Sequence, residues 1–409
     1  MTQLRLFDPD ATRGWVALED LFAAYYTCRR NKRRTHNALV FELDYESQLV
    51  ALCDEINNGT YRPGKSVAFI VDTPVKREIF AAEFRDRVVH HLIIAKLNPL
   101  FEKAFIYDSY ACRVGKGTLF GIRRLQRFIR QCSANYSQDC YVLKLDIRGF
   151  FMNINTDRLF ARLEQLIIER YHESDRDIVI ELCRLVLFTR PTENCVIKGH
   201  RSDWDGLPPS KSLFHSPPRC GLPIGNLSSQ VFANFYLNVF DHFVKHDLGI
   251  RYYGRYVDDF VVVHTDHEYL VSLIGVLRRF LYTELALELH PDKIHLQHYA
   301  KGVNFLGVVI KPNRVYVGAR TKGNFSAAID KHNAVLQGGE PTVGEQQAFV
   351  SSTNSYLGLM KHHNTRRLRY RMLRREVKGW WKYAYTTGSL NKVVLKAKLE
   401  NKRISTQKR

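Results

Sequence analysis

The chain has 409 residues, with 61 Lys or Arg against 41 Asp or Glu, for a formal net charge of +20 and a pI near 9.6. Such an excess, in a chain that is 45% hydrophobic, describes a folded protein whose surface attracts polyanions, nucleic acid before an anionic membrane. No run of about 18 apolar residues exists and the N-terminal MTQLRLFDPDATRGW lacks a signal-peptide core, which predicts a cytoplasmic protein, with no membrane partner, of two or three domains.

Apolar residues at three- and four-residue spacing predict helices in ALEDLFAAYYTCRR (17–30) and ESQLVALCDEINNG (46–59), the second stopped by Gly59. The basic RRNKRRTHN between them reads as a solvated loop able to touch phosphates. KSVAFIVDTPVKREIFAAEF (65–84) predicts a strand, a turn at Asp72–Pro74 and a second strand, and FRDRVVHHLIIAKLNPLFEKAF a long helix. RVGKGTLFGIRRLQRFIRQC is a Gly/Lys-rich loop feeding a basic amphipathic helix. Its GKGT lacks the Gly-x4 spacing and the GK[ST] of a phosphate-binding loop.

CYVLKLDIRGFFMNI (140–154) predicts a strand ending at Asp146, with Phe150 and Phe151 just beyond. Helices follow to about Phe188. The Pro/Ser/Gly-rich stretch from Arg190 to Cys220 is too long for a turn and reads as a functional loop or insertion. NLSSQVFANFYLNVFDHFVKHDLG predicts a helix opened by Asn and Ser and closed by Gly249. EYLVSLIGVLRRFLYTELALEL is again helical, and GVNFLGVVIKPNRVYVG a small hairpin. Residues 361–409 hold sixteen Lys/Arg and two Glu. Within them RRLRYRMLRREVKGWWKYAY interleaves basic and aromatic residues on a helical pattern, as a nucleic-acid-gripping surface does.

The stretch YYGRYVDDFVVVH (252–264) sets Asp258 and Asp259 between two β-branched and aromatic runs, a pattern that predicts a hairpin turning at the aspartates. An ordinary solvated turn fits that pattern too. Bulky apolar neighbours and the absence of a Gly favour a cation between the two charges, and carboxylate oxygens suit Mg²⁺ or Mn²⁺. Asp146 at another strand end supplies a third carboxylate, and phosphoryl transfer by two metals needs such a set. The eight cysteines (28, 53, 112, 132, 140, 183, 195 and 220) show no CxxC and read as reduced thiols. Cys195/His200 and His215/Cys220 mirror one spacing, compatible with a zinc clip.

The order of these features resembles the reverse transcriptases, from about Tyr61 to Gly318 and more loosely to Met360. KREIFAAEFRDRVVHHLI and DSYACRVGKGT resemble the two fingers motifs. LKLDIRGFF is similar to motif A, GLPIGNLSSQVFANFYLN to motif B, YVDD to motif C, LELHPDKI to motif D and VNFLG to the primer grip. The resemblance implies an α/β (α+β) right-hand polymerase. It divides into a helical extension (1–60), fingers (61–139), a first part of the palm (140–157), a fingers insertion (158–219), the rest of the palm (220–318), a helical thumb (319–390) and a basic tail (391–409). Asp146, Asp258 and Asp259 would bind two Mg²⁺ ions, with Mn²⁺ able to substitute. Lys293 would be the general acid for pyrophosphate, Lys76 and Arg77 the triphosphate clamp, and Phe151 the gate against a ribose 2′-OH. Ile224, Gly225 and Gln230 would line the dNTP pocket, and Phe305, Leu306 and Gly307 the primer grip.

One departure is informative. Where most prokaryotic members carry Gln-Gly-x3-Ser-Pro, this chain reads IGNLSSQ, with Ile224 for Gln and Gln230 for Pro. That variant, with the DWDGLPPSKSLFH lead-in, resembles the bacterial or phage-encoded enzymes of diversity-generating retroelements. Such enzymes misincorporate opposite template adenine and work with a small basic accessory protein. Standalone antiviral-defence reverse transcriptases, and a non-catalytic maturase-like RNA binder, are the alternatives. The expected substrates are dNTPs, an RNA template and its RNA/DNA duplex.

Overall fold

The computed structural model describes residues 14–30, 35–72 and 75–396. Part of the basic cluster (31–34), two residues of the expected first turn (73–74) and the end of the basic tail (397–409) lie outside the described residues. The chain divides into two compact units, the first 1–128 with 140–296 and the second 129–139 with 297–409.

The first unit opens with three helices, α1 (Leu18–Arg29), α2 (His36–Glu42) and α3 (Tyr45–Asn57). Their apolar faces join one large core, and Asn57 ties α3 back to the chain start by accepting from the Val16 amide at 2.9 Å. Strands β1 (Ser66–Val71) and β2 (Arg77–Ala81) form the expected antiparallel pair, followed by the long helix α4 (Phe84–Ala104) and by α5 (Thr118–Cys132), which runs on into the second unit. Arg123 and Arg127 stand exposed on α5. Arg124 instead turns to the buried Asp108, at 2.6 Å.

Strand β3 (Tyr141–Leu145) leads to the short α6 (Phe150–Asn153), then to α7 (Thr156–Arg170) and α8 (Arg176–Phe188). Asn155 caps α7, accepting from the Arg158 amide at 2.8 Å. The Arg190–Cys220 stretch carries elements of its own. Its strand β4 (Cys195–Ile197) pairs in parallel with β1, extending that sheet to β2-β1-β4. The expected single helix over 226–249 is broken into α9 (Leu227–Tyr236), α10 (Asn238–His242) and a π-turn at Phe243–Asp247. Asn226 does not cap α9. Its Oδ1 accepts from the Ala82 amide at 3.2 Å and stitches the helix start to the end of β2.

The central sheet is completed by β5 (Tyr253–Tyr256), β6 (Asp259–His264) and, after α11 (His267–Leu285), by β7 (His295–His298), which begins in this unit. The order is β5-β6-β3-β7. Four consecutive residues of β6, Phe260 to Val263, are buried, as a strand covered on both faces requires. Asp266 caps α11 through the Tyr269 amide, at 3.1 Å.

In the second unit, β8 (Val303–Phe305), β9 (Val308–Lys311) and β10 (Arg314–Val317) form a three-stranded sheet where a two-stranded hairpin was expected. It falls in the second unit, with the C-terminal elements. Helices α12 (Ala319–Gln337), α13 (Val343–Met360) and α14 (Arg366–Arg371) follow. Thr342 and Glu345 make a reciprocal capping box at the start of α13, with the Thr342 amide 2.7 Å from Oε2. The expected helical pattern through Tyr385 fails at Val377, where the backbone turns extended at ψ 116°, and Gly379 follows at φ +78°. Strands β11 (Ala384–Thr387) and β12 (Lys392–Leu395) pair instead, where helix and tail were predicted. Trp380 is no nucleic-acid platform: it is fully buried and stacks on Phe349 at 4.3 Å.

Candidate active site

The ladder between β3 and β6 runs Tyr141↔His264 to Leu145↔Phe260, so its next step sets Asp146 opposite Asp259. In the β5–β6 hairpin, Tyr256 pairs with Asp259, which leaves Val257 and Asp258 as the whole loop. The turn is therefore one residue earlier than the sequence pattern predicts, and Asp259 is the first residue of a strand. Val257 adopts φ +56°. A β-branched residue is costly there because its Cβ crowds the backbone, and such strain persists only where the surroundings enforce it.

A second chain segment closes on Asp146. Ile147 bridges Leu289, the Arg148 amide donates to the Glu288 carbonyl at 2.8 Å, and the His290 amide donates to the Asp146 carbonyl at 2.8 Å. The turn Pro291–Lys293 then brings Lys293 Nζ to 2.8 Å from Asp146 Oδ1. Lys144, a residue that the sequence reading passed over, sits 3.2 Å from Asp259. Its signal was the polar position in the alternating strand LKLD. The Asp258 carboxyl is pushed up to about 7, first by burial and then by the charges of Asp146 and Asp259, with Lys293 opposing. Asp259 is raised as well, chiefly by burial, against the pull of Lys144. The cluster holds more negative charge than its two lysines compensate.

Among the described residues, no three His, Cys, Asp or Glu side chains are gathered into a metal cage of their own. The Cys195/His200/His215/Cys220 clip is thus not formed, and all eight cysteines are free thiols. Lys293 and Lys144 engage two of the three aspartates, Asp146 and Asp259.

Beside α6, a second apolar cluster gathers Ala68, Phe80, Met152 and Leu213, with Phe151 and Ile224 packed against it. Phe151 is half-buried, its ring 5.4 Å from that of Phe150 and edge-on to it. The Ile224 carbonyl accepts from the Phe80 amide at 2.8 Å. Gly225 has φ +128°, and a Cβ there would meet the Ile79 side chain at 2.9 Å and the Phe80 carbonyl at 3.0 Å. Only Gly fits that crossing. Gln230 is exposed on α9 and accepts from Cys112 Sγ at 3.3 Å. Arg77 is exposed at the start of β2, while Lys76 donates to the Asp205 carbonyl at 2.7 Å.

Between these two basic residues and Phe80 lies Glu78, 1% exposed. It accepts from Trp204 Nε1 and Ser212 Oγ, both at 2.7 Å, and from the Leu213 amide. The 190–220 stretch is latched to β2 through this carboxylate. Glu78→Gln turns one acceptor into a donor that faces other donors. The expected loss is about 1–3 kcal/mol, read by urea denaturation, with faster proteolysis within 190–220. Unchanged stability and cleavage would show that the latch is idle.

A buried network underlies the hairpin. Arg255 is wholly inaccessible and forks onto Asp241, with Nε 2.7 Å from Oδ1 and Nη2 on Oδ2. Nη1 donates to Asn234 Oδ1 and to the Val257 carbonyl, both at 2.9 Å. Tyr253 donates to the same Asp241 at 2.6 Å. The lone Arg inside an apolar strand was the available signal for a buried pair.

The primer-grip candidates lie in the second unit. Phe305 is buried, and Leu306 and Gly307, at φ +48° and +83°, form the two-residue turn between β8 and β9.

A strand-end carboxylate facing a hairpin carboxylate pair is a donor set of the kind that two-metal phosphoryl transfer uses. The family model described as reverse transcriptase (RNA-dependent DNA polymerase) matches residues 75–310. The chain belongs to that family and is a reverse transcriptase, with the mixed helix-and-strand fold described above. It is 22% identical over 294 residues to Protein YkfC of Escherichia coli (strain K12), covering 64% of this chain and 70% of YkfC. Among solved structures it is similar to telomerase from Candida albicans with a telomeric RNA fragment, at 12% identity and TM-score 0.45, covering 81% of this chain. It is also similar to apo telomerase from Candida tropicalis, at 13% identity and TM-score 0.43, covering 61% of this chain. The chain spans 60% and 55% of those two telomerase chains.

Proposed function

We propose that Asp146, Asp258 and Asp259 hold the divalent cations of an RNA-templated DNA synthesis site, in the error-prone enzyme of a diversity-generating retroelement. The residues fit Mg²⁺, or Mn²⁺ in its place. They offer hard oxygen donors with surplus negative charge, and Mg²⁺ takes one or two carboxylates while substrate phosphates and water complete its shell. When bound, the cations supply Lewis acidity to the attacking hydroxyl and to the leaving pyrophosphate.

The chain's own groups do the rest. Arg77 and Lys76 grip the triphosphate by charge-assisted hydrogen bonds. Lys293 Nζ holds the proton that the departing pyrophosphate takes up. Phe151 fills the space a ribose 2′-OH would need. Phe305, Leu306 and Gly307 steady the primer. A small basic accessory protein would meet a chain of net charge +20, so shared RNA or apolar contact, not charge attraction, joins the two.

The retroelement reading is carried by Ile224, which lies in the same apolar cluster as Phe151 at the position where most prokaryotic reverse transcriptases carry Gln. An apolar side chain leaves discrimination to pair shape. A net hydrogen bond is worth about 0.5–1.5 kcal/mol, or roughly two- to tenfold in an incorporation ratio. Ile224→Gln is therefore expected to lower errors opposite template adenine by that factor. Sequencing cDNA copied from one RNA by both proteins measures it. Equal, low error at all four template bases would favour a standalone reverse transcriptase. Primer extension with dNTPs against NTPs tests the activity itself.

A further inference from the structure

We infer that Arg255 is the positioning residue of this site. It holds the strained Val257–Asp258 turn and so fixes where the Asp258 carboxylate points. The inference rests on the assignment of Asp258 to the cation site.

The turn has no residue that favours its own conformation. Val257 stands at φ +56° with neither Gly nor Asn to relieve it. Its carbonyl is taken by Arg255 Nη1 at 2.9 Å. That nitrogen is part of a rigid fork, because the same guanidinium is held by Asp241, by Asn234 through its Oδ1 and its carbonyl, and by Ser109 Oγ. The Arg255 backbone is pinned too. Its amide donates to the Asp108 carbonyl at 2.9 Å and its carbonyl accepts from the Tyr110 amide at 2.9 Å. Next to it, Gly254 leaves room for the Tyr110 hydroxyl, which would lie 2.0 Å from any Cβ. One planar cation thus joins α9, α10 and the loop before α5 to the hairpin tip. Lysine carries the charge but has a single nitrogen, so it cannot face Asp241, Asn234 and the Val257 carbonyl together.

A cycle at positions 255 and 257 decides the matter. Arg255→Lys is expected to lose about ten- to a hundredfold in kcat for dNTP incorporation, as supporting residues of metal sites do. Its Mg²⁺ half-saturation should rise and its calorimetric Mn²⁺ affinity fall, with template–primer Kd unchanged. Adding Val257→Gly, which enters φ +56° without strain, should recover most of that loss. If Arg255→Lys alone does not fold, the double variant is the test, and recovery of soluble, active enzyme supports the role. A folded Arg255→Lys with wild-type kcat and Mn²⁺ affinity overturns it. So does a double variant no better than Arg255→Lys, because Arg255 then contributes general stability alone. Asp258→Asn is run beside them. If it stays active, the cation-site assignment itself fails. If it is inactive while the cycle shows no coupling, the assignment stands and the role of Arg255 falls.

Discussion

Asp258→Asn is expected to abolish Mg²⁺-dependent dNTP incorporation, by on the order of 10³-fold or more, as removal of a central charged group does. Asp258 is the second residue of a two-residue loop, facing Asp146 and Asp259. Asn is nearly isosteric, so the turn keeps its shape while one ligand charge disappears. Removing a charge from a cluster with surplus negative charge also relieves repulsion. The variant is therefore expected to be at least as heat-stable as the parent, and its RNA affinity should stay within about twofold because no phosphate contact is touched. Filter binding and thermal melting beside primer extension separate lost chemistry from lost fold. Normal extension would remove the assignment of the site.

Phe151→Ala is expected to admit ribonucleotides. The ring is wedged between Phe150 and the cluster of Ala68, Phe80, Met152 and Leu213, so it cannot swing aside for an extra hydroxyl. Forcing added bulk into such a packed space costs about 1–3 kcal/mol, which is roughly five- to 150-fold in the dNTP/NTP ratio. That ratio should fall by this factor when the ring is removed. Truncating a buried Phe costs about 3–5 kcal/mol. The half-buried Phe151 costs less, and assays at low temperature keep the variant folded. An unchanged ratio would place the gate elsewhere.

The strand-end positions of the carboxylates were legible in the sequence because strand patterns flank each of them, and Lys293 came only from the resemblance of LELHPDKI to a family motif. The turn was misplaced by one residue for a physical reason. No Gly or Asn marks it, and β propensity predicts that Val257 extends a strand when it actually takes a positive φ. Arg255 and Glu78 were missed because their partners, Asp241 and the Trp204–Leu213 segment, come from other elements. Charge in a sequence does not announce burial. The C-terminal hairpin did have a signal, the β-branched runs AYTT and KVVL around a polar turn, which the basic-aromatic helical pattern masked.

The parallel pairing of β4 with β1 has a consequence for how this protein is made. Ser66 pairs with Cys195, about 130 residues later, which at about 5–20 residues per second is roughly six to 26 seconds of synthesis. Throughout that interval the outer edge of β1, in the run SVAFIV, has no neighbour on that side. A nascent chain with such an edge is open to pairing with another ribosome's product. Slow translation or crowded polysomes should therefore cost yield in this protein before they cost activity, and co-expressed chaperones that shield β edges should restore it.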